Sequence, residues 1–302
     1  MSLSSLQIFA RQSGIGGSDA AAAVGLSRWK TPLRLWQEKT GQCEREEPSG
    51  ELAEAAHFGH VLENVVADEF ARRRGVKIRR DLRTLRHPKH PFMLGHIDRR
   101  ILGTKVGLEV KTISLRMSKD LGEDDDAIPT EWFLQALHYM ACTGFASWCF
   151  AVLVAGNSFR TYQVKRDDET IENLIGRERE FWRHVETNTP PDPISLEDAS
   201  RRWPFDAGTW TIADAEIAER CAHLGRLRNE MKTLKTAADE EELLIKRAMG
   251  DCGTLLASGT ERLATWTTQE ATTIDVRLLR SKYPEVAKNC ERVSSSRVFR
   301  LK

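Results

Sequence analysis

The sequence predicts an α/β fold in which a mixed central sheet is flanked by helices. Residues 108–112 alternate apolar and polar side chains, as a half-buried strand does. Residues 148–154 are continuously apolar, which is typical of a buried central strand. Residues 58–70 and 128–140 carry apolar side chains at helical spacing. We therefore expect two sheet strands and two helices to form the centre of the molecule.

The segment from residue 95 to residue 112 is predicted to form a β-hairpin. Residues 99–106 contain Gly103 and are long enough to reverse the chain. This reversal would bring Asp98 beside the second strand, in which Glu109 and Lys111 project from the same face because side chains alternate with period two. Two carboxylates and one ammonium group would then converge.

Such a cluster suits a divalent cation and phosphate chemistry. Carboxylate oxygens favour Mg²⁺ or Mn²⁺, and Mg²⁺ usually binds through one or two carboxylates together with substrate phosphate. A lysine beside a metal ligand can hold or deprotonate a water, or neutralise charge on a phosphate. The alternative is an exposed strand carrying a surface Glu109–Lys111 pair of little energetic value.

The predicted helix over residues 58–70 places Glu63 between Leu62 and Val66, close to its apolar stripe. A carboxylate at such a position costs free energy unless it is paired or bound to a metal. Glu63 is therefore a candidate third carboxylate, the alternative being a boundary residue that reaches solvent.

The predicted helix over residues 128–140 begins near Thr130, a candidate N-cap, and ends before Gly144. Gln135 and Tyr139 are four residues apart, so they share one face of this helix.

A glycine-rich turn over residues 14–17 precedes Ser18 and Asp19, either of which is a candidate N-cap for an alanine-rich helix. Free backbone N–H groups at such a turn bind phosphate well. A second short helix is expected over residues 30–41, with Thr31 as its N-cap and Gly41 at its C-terminal end.

These motifs, in this order, resemble the YqaJ-like viral recombinase family. The matching segments are GIGGSDAAAAVGLSRWKTPLRLWQEKTG, GHVLENVVADEF, GHIDRRILG followed by GLEVKT, and IPTEWFLQALHYMACTG. The family is related to lambda exonuclease within the PD-(D/E)xK nuclease superfamily. The resemblance covers roughly residues 8–185, and residues 294–300 look like the closing strand of the family.

The resemblance implies a PD-(D/E)xK nuclease core and assigns roles to residues that match its motifs. Asp98, Glu109 and Glu63 would be metal-binding carboxylates, and Lys111 would be the catalytic lysine. The resemblance also implies four substrate-binding residues: Gln135 and Tyr139 as the QxxxY motif, and Arg11 and Ser18 as contacts to a 5′-terminal phosphate.

Composition adds few constraints. The 302 residues include 45 basic and 44 acidic side chains, a net charge of +1 that does not by itself indicate a nucleic-acid binder. No apolar stretch is long enough for a membrane span, and the N-terminus lacks the apolar region of a signal peptide. The six cysteines show no C-x-x-C spacing, which argues against structural zinc or an iron–sulfur cluster. Scattered cysteines without a secretion signal fit a reducing compartment, so we expect a cytoplasmic protein with no membrane partner. The resemblance implies a bacterial cell and a chain that is either bacterial or phage-encoded.

The chain is expected to contain a nuclease core over residues 1–190 and an extension over residues 191–302, with a proline-rich boundary between them. In the extension, residues 212–249 have a helical apolar seam that would pack on the core or on a neighbouring subunit, and residues 263–269 and 297–301 read as short strands. Residues 72–80 hold six basic side chains in nine, which would follow a DNA backbone or form a solvated surface.

The predicted function is that of a Mg²⁺-dependent DNA exonuclease, with Mn²⁺ as a possible substitute. It would act on double-stranded ends in the 5′-to-3′ direction during phage-type recombination, and the direction follows from the resemblance alone. A single-strand annealing protein and further copies of the chain are candidate partners. The alternatives are a non-catalytic DNA-end-binding scaffold and a site-specific endonuclease of the same superfamily.

Overall fold

The computed structural model describes residues 13–44, 46–81, 83–124 and 127–301. The chain divides into two compact units, Met1–Arg202 and Trp203–Lys302. No helix within the described ranges is long and apolar enough to cross a membrane.

The strands are β1 (Ile15–Gly16), β2 (Ile78–Arg80), β3 (Leu85–Arg86), β4 (Met93–Gly95), β5 (Arg99–Ile101), β6 (Val106–Ile113), β7 (Ser147–Val154), β8 (Ser158–Lys165), β9 (Thr254–Leu256) and β10 (Arg262–Thr265). The α-helices are α1 (Ala20–Ala23), α2 (Pro32–Lys39), α3 (Glu51–Arg74), α4 (Thr130–Thr143), α5 (Asp168–Glu186), α6 (Leu196–Arg202), α7 (Ala215–Met249), α8 (Val276–Lys282) and α9 (Pro284–Asn289). Short 3-10 helices cover Gly17–Asp19 and Met117–Asp120.

The main sheet has five strands in the order β2-β5-β6-β7-β8. Strands β6 and β7 are parallel, and the other neighbouring pairs are antiparallel. The predicted hairpin is confirmed, since Arg99 lies opposite Leu108 in the antiparallel β5–β6 pair. The predicted mixed sheet is confirmed as well.

Helices cover both faces of this sheet. On one face, Val66 and Phe70 of α3 pack with Ile101, Leu108 and other small or apolar strand residues. On the other face, residues of α4 and α5 pack against alternate strand residues such as Phe150 and Val152. Because β7 is covered on both sides, its side chains have no polar face, which explains its continuous apolar sequence.

Helix α4 begins and ends close to the predicted positions. Pro129 is the N-cap residue and Thr130 is the first helical residue, so Thr130 is not the cap. Gly144 terminates the helix in the left-handed conformation, with φ of 68°, and its N–H donates to the carbonyl of Met140. This placement turns the chain directly into the central strand β7.

A second, three-stranded sheet of order β1-β4-β3 fixes the glycine-rich turn to the core. Ile15 pairs with Met93 in register, and both side chains are fully buried. Gly14 allows this close approach, because a Cβ at that position would stand 2.3 Å from the carbonyl oxygen of Phe92. The N-terminal motif is thereby held next to β4, the strand that leads towards Asp98.

Asp19 is the N-cap residue of α1, one of the two predicted positions, but its side chain makes no capping hydrogen bond. Ser18 and Asp19 both lie in the preceding 3-10 helix, Ser18 is exposed, and the carboxylate of Asp19 pairs with the ammonium group of Lys39 at 2.8 Å. The cap of α2 is confirmed, because the Thr31 hydroxyl accepts a hydrogen bond from the Arg34 N–H at 3.2 Å.

Helix α6 lies with the first unit, although it follows residue 190. The buried carboxylate of Asp198 accepts a hydrogen bond from the Thr31 hydroxyl at 2.6 Å and another from the N–H of Ile194 at 3.2 Å. These bonds attach the segment after the proline-rich stretch to the start of α2.

The second unit contains the long helix α7, the antiparallel β9–β10 pair and the short helices α8 and α9. The predicted helix at residues 212–249 and the predicted strand near residue 263 are thus present. Several apolar side chains of the predicted seam are exposed: Ile217, Leu227, Met231 and Leu234.

The predicted strand over residues 297–301 is wrong, since these residues carry no strand. Arg297 instead donates to the carbonyl of Trp203 at 3.4 Å, and the guanidinium of Arg228 lies 5.6 Å from the ring centre of Phe299. The segment is held by side chains, and a strand requires a neighbouring backbone edge to pair with.

Candidate active site

Glu109 is a buried carboxylate on β6 with an uneven hydrogen-bond environment. Its Oε1 accepts from Lys111 Nζ at 2.9 Å and from Gln135 Nε2 at 2.8 Å. Its Oε2 is also buried, and within the described part of the chain no donor reaches it. A buried carboxylate oxygen without a donor is costly, so this atom is suited to bind a cation.

Asp98 immediately precedes β5, and its Oδ2 accepts a hydrogen bond from the N–H of Val110 at 3.0 Å. Burial, and next the negative charge of Glu109, raise the pKa of Asp98 from 3.8 to about 7. The charge of Glu63 contributes in the same direction. The carboxylates are therefore near enough to repel one another, which disfavours the ionised form of Asp98.

Lys111 lies among three groups that fix its ammonium. Its Nζ donates to Glu109 Oε1 at 2.9 Å and to Gln135 Oε1 at 3.0 Å, and it stands 5.8 Å from the ring centre of Trp132. The aromatic face attracts a cation, and the two oxygens accept from it. Lys111 is thus held beside the carboxylates instead of extending into solvent.

Gln135 and Tyr139 share one face of α4, as predicted, and both are buried. Gln135 binds Lys111 through its oxygen, and its nitrogen donates to Glu109 and to the Tyr139 hydroxyl, the latter at 3.2 Å. Burial, followed by the charge of Glu109, raises the pKa of Tyr139 well above its ordinary value, so its hydroxyl stays protonated.

The glycine-rich turn packs directly on Tyr139. A Cβ at Gly17 would stand 2.4 Å from the ring of Tyr139, so only glycine fits this contact. Ser18 follows Gly17 and is exposed. The turn and the QxxxY pair, which are distant in sequence, therefore meet at one place. Arg11 lies outside the described residues.

Glu63 on α3 is held by an arginine. Its Oε1 accepts from Arg99 Nη1 at 2.8 Å, and the same nitrogen donates to the backbone carbonyl of Asp98 at 2.8 Å. The structure thus links Glu63 to the residue that carries the second candidate ligand. Arg99 was not identified from the sequence. A signal existed, because Arg99 follows Asp98 directly and begins a strand that has one face buried in the protein.

A second buried acid, Glu178, lies on α5. Glu178 and His138 are fully buried, and His138 Nδ1 lies 2.8 Å and 3.0 Å from the two carboxylate oxygens. His138 Nε2 lies 3.0 Å from the carbonyl of Leu94 on β4. Sequence reasoning also missed this pair, because an internal histidine and a distant glutamate give no joint pattern.

The predicted carboxylates do not form a ready-made metal cage. Among the described residues, no three histidine, cysteine, aspartate or glutamate side chains are gathered to hold an ion by themselves. This arrangement is compatible with Mg²⁺, which usually keeps several waters and takes one or two protein carboxylates with phosphate oxygens.

The five-stranded mixed sheet with helices on both faces defines the class of fold, which is that of the PD-(D/E)xK type. Asp98, Glu109 and Lys111 lie together on this sheet. The fold is similar to that of the alkaline exonuclease LHK-Exo from Laribacter hongkongensis, with a TM-score of 0.51 at 16% sequence identity. The match covers 66% of this chain and 97% of that one.

Sequence comparison then gives the family. The YqaJ-like viral recombinase domain matches residues 8–146. The uncharacterized protein YqaJ of Bacillus subtilis (strain 168) is 33% identical over 300 residues, which cover 97% of this chain and 92% of that protein. The chain belongs to the YqaJ-like viral recombinase family.

Proposed function

We propose that this protein is a Mg²⁺-dependent DNA exonuclease that degrades double-stranded ends from 5′ to 3′ in phage-type recombination. The observation that carries the proposal is the buried Glu109 carboxylate, whose Oε2 is left without a donor by the described residues, next to Asp98 and Lys111. The recombinase family and the fold shared with an alkaline exonuclease support the same reaction class.

The residues present fit a divalent cation. Glu109 Oε2, Asp98 and Glu63 are the groups that would hold it, with Mn²⁺ as a substitute for Mg²⁺, since both favour carboxylate oxygen. A cation would offset the burial and the repulsion by Glu109 that together raise the pKa of Asp98 to about 7. Bound Mg²⁺ supplies Lewis-acid stabilisation of the phosphate and lowers the pKa of a water.

The remaining residues prepare the site for an anionic substrate. Lys111 Nζ is placed to hold a water or to neutralise charge on the scissile phosphate. Gln135 fixes both Lys111 and Glu109, so the two groups keep their relative position as the substrate enters. Tyr139 supports Gln135 through its hydroxyl.

An exposed basic segment would bind the DNA backbone. The basic side chains at residues 72–80 follow the end of α3 and continue into β2, and all six are exposed. Arg72 and Arg73 share the carboxylate of Glu69, and among the described residues no carboxylate lies within salt-bridge distance of the other four. Because phosphate contacts release counterions, DNA binding should weaken steeply as salt increases.

The direction of digestion rests on the two N-terminal residues. Arg11 and Ser18 would bind a 5′-terminal phosphate, because a guanidinium fork binds phosphate oxygens bidentately. Arg11→Ala should reduce the preference for 5′-phosphorylated over 5′-hydroxyl ends by about 10–100-fold, as expected for a lost charge-assisted hydrogen bond. If wild type and Arg11→Ala show the same preference for 5′-phosphorylated ends, the assignment of Arg11 to the phosphate site is wrong.

We further propose that the substrate is a double-stranded DNA end and that a single-strand annealing protein receives the exposed strand. Homo-oligomerisation and a bacterial cytoplasmic location belong to the same proposal. Exonuclease digestion leaves single-stranded DNA, and recombination requires a reaction that pairs it with a complementary strand.

The test is digestion of linear duplexes labelled at either the 5′ or the 3′ end, with Mg²⁺ or with EDTA. We expect Mg²⁺-dependent loss of the 5′ label first, on linear DNA and not on covalently closed circles, and no loss with Asp98→Ala. Binding without degradation would favour the end-binding scaffold. Cleavage of circular DNA at defined positions would favour the site-specific endonuclease.

A further inference from the structure

Arg99 joins the two elements that carry candidate metal ligands. Its Nη1 donates to Glu63 Oε1 on α3 and to the backbone carbonyl of Asp98, both at 2.8 Å. Its Nη2 donates to Asn64 Oδ1 at 2.5 Å. One guanidinium therefore fixes a side chain of the helix and the main chain that begins β5.

The surroundings of Arg99 make these bonds obligatory. Only 6% of the side chain is exposed, and Arg99 lies opposite Leu108 on the sheet face that α3 covers. A guanidinium buried among apolar side chains is stable only if its charge is paired and its N–H groups are bonded. Within the residues described, Glu63 supplies that pairing carboxylate.

Arginine is suited to this position in a way that lysine is not. The planar fork reaches three acceptors on two elements at once, whereas an ammonium is a compact charge on a flexible chain. The bond to the Asp98 carbonyl is informative, because a purely structural counter-ion for Glu63 would not need to bind the main chain of a candidate ligand.

We propose that Arg99 is a positioning residue that sets the carboxylate of Glu63 against Asp98 in the arrangement that binds the divalent cation. This role rests on the proposed function, because it assumes that Glu63 and Asp98 hold the ion. Arg99 acts through these two residues and does not itself touch substrate. Groups that orient metal ligands typically contribute about 10–100-fold to metal affinity.

The test is Mn²⁺ binding to the full-length protein without DNA, measured by isothermal titration calorimetry, which needs no enzymatic activity. Arg99→Lys keeps the charge and loses the fork. We expect it to weaken Mn²⁺ binding by about 10–100-fold and to raise the half-saturating Mg²⁺ concentration for digestion to a similar extent. Arg201→Lys is the matched control, since Arg201 also pairs with a glutamate, Glu197 at 2.6 Å, on the surface helix α6.

A double-variant cycle tests whether Arg99 acts through Glu63. Glu63→Gln should also weaken Mn²⁺ binding, and Arg99→Lys should add little when Glu63→Gln is already present. If thermal unfolding shows that Arg99→Lys is not folded, Asn64→Ala is tested in its place. Asn64 is exposed, and of the Arg99 nitrogens only Nη2 donates a hydrogen bond to it. The expected weakening is then about 2–10-fold, less than for Arg99→Lys, because one hydrogen bond is lost and the bonds to Glu63 and Asp98 remain.

Three results would overturn the role of Arg99 while leaving the nuclease proposal intact. The first is an unchanged Mn²⁺ affinity in a folded Arg99→Lys variant. The second is tighter Mn²⁺ binding by that variant, which would mean that Arg99 withholds Glu63 from the ion. The third is full additivity of the changes in Mn²⁺ binding free energy caused by Arg99→Lys and Glu63→Gln. A wild-type protein that binds no Mn²⁺ would instead overturn the metal site itself, together with the role of Arg99.

Discussion

Two buried glutamates that form hydrogen bonds with side chains of α4 have opposite hydrogen-bond environments. Glu178 has both oxygens beside one ring nitrogen of His138, whose other ring nitrogen faces the Leu94 carbonyl. Glu109 has two donors on Oε1, while Oε2 has none from the residues that the structure describes. Both groups are buried, so the contrast cannot be explained by solvent.

Glu178 is a buried charge that supports the fold, whereas Glu109 is a buried charge that the proposed cation would bind. Since a carboxylate and a carbonyl both accept, His138 donates from both nitrogens as an imidazolium. Burial acts to lower the pKa of His138, but the charge of Glu178, the hydrogen bond to Glu178 and the neighbouring Cys142 together outweigh it and raise the pKa well above the ordinary value. Glu109 and Asp98 repel each other, an arrangement that a cation would stabilise.

The largest expected effect is the loss of digestion in variants of Asp98 and Glu109. Asp98→Ala and Glu109→Ala should each abolish Mg²⁺-dependent digestion, because each would remove a proposed ligand, and Asp98→Ala should leave the free energy of unfolding near or above the wild-type value. DNA binding should be retained, since repulsion with phosphate is relieved. Digestion assays, a filter-binding assay and urea unfolding measure the three quantities. Near wild-type turnover in either variant would contradict the site assignment.

Lys111→Ala sharpens the comparison by removing the ammonium and leaving the carboxylates. We expect Mn²⁺ to bind still and the digestion rate to fall by about 10²–10⁴-fold, the usual range for a proton-transfer group. The measurement is single-turnover digestion at saturating Mg²⁺. A loss of less than tenfold would mean that Lys111 does not take part in the reaction.

Glu178→Ala should have the opposite pattern, with a large effect on stability and none specific to the metal. Removing one partner of a buried pair leaves the other charge uncompensated and costs about 3–5 kcal/mol. Glu197→Ala, which removes the partner of exposed Arg201, should cost about 0–1 kcal/mol and serves as the control. Urea unfolding measures both. A Glu178→Ala cost as small as that of the control would remove the distinction between the two glutamates.

The last prediction concerns the pH dependence of the unfolding free energy. Asp98 has a pKa near 7 in the metal-free folded protein and an ordinary value of 3.8. The folded state therefore holds more protons than the unfolded state between about pH 4 and 7, and the contribution of Asp98 to stability falls as pH rises through this window. Asp98→Asn should flatten this part of the pH profile of the unfolding free energy. Parallel profiles for wild type and Asp98→Asn would contradict the raised pKa.

The sequence determined much of the fold because the decisive patterns are local. The alternation over residues 108–112 and the apolar run over residues 148–154 predicted β6 and β7, since side-chain periodicity follows directly from strand geometry. Gly144 predicted the end of α4, because a left-handed residue favours glycine. The strand over residues 297–301 was wrong because pairing depends on a distant edge, which a local pattern does not contain.

The candidate site also has a part that the sequence predicted and a part that only the tertiary structure decided. Spacing alone placed Glu109 and Lys111 on one strand face and Gln135 and Tyr139 on one helix face, because both periodicities act over a few residues. Only the tertiary structure decided that Gln135 holds both Glu109 and Lys111.

It was also the tertiary structure that paired Arg99 with Glu63 and His138 with Glu178, across separations of 36 and 40 residues. The physical reason is that burial and charge pairing are set by which elements pack together, and neither is encoded in the spacing of residues along a single element.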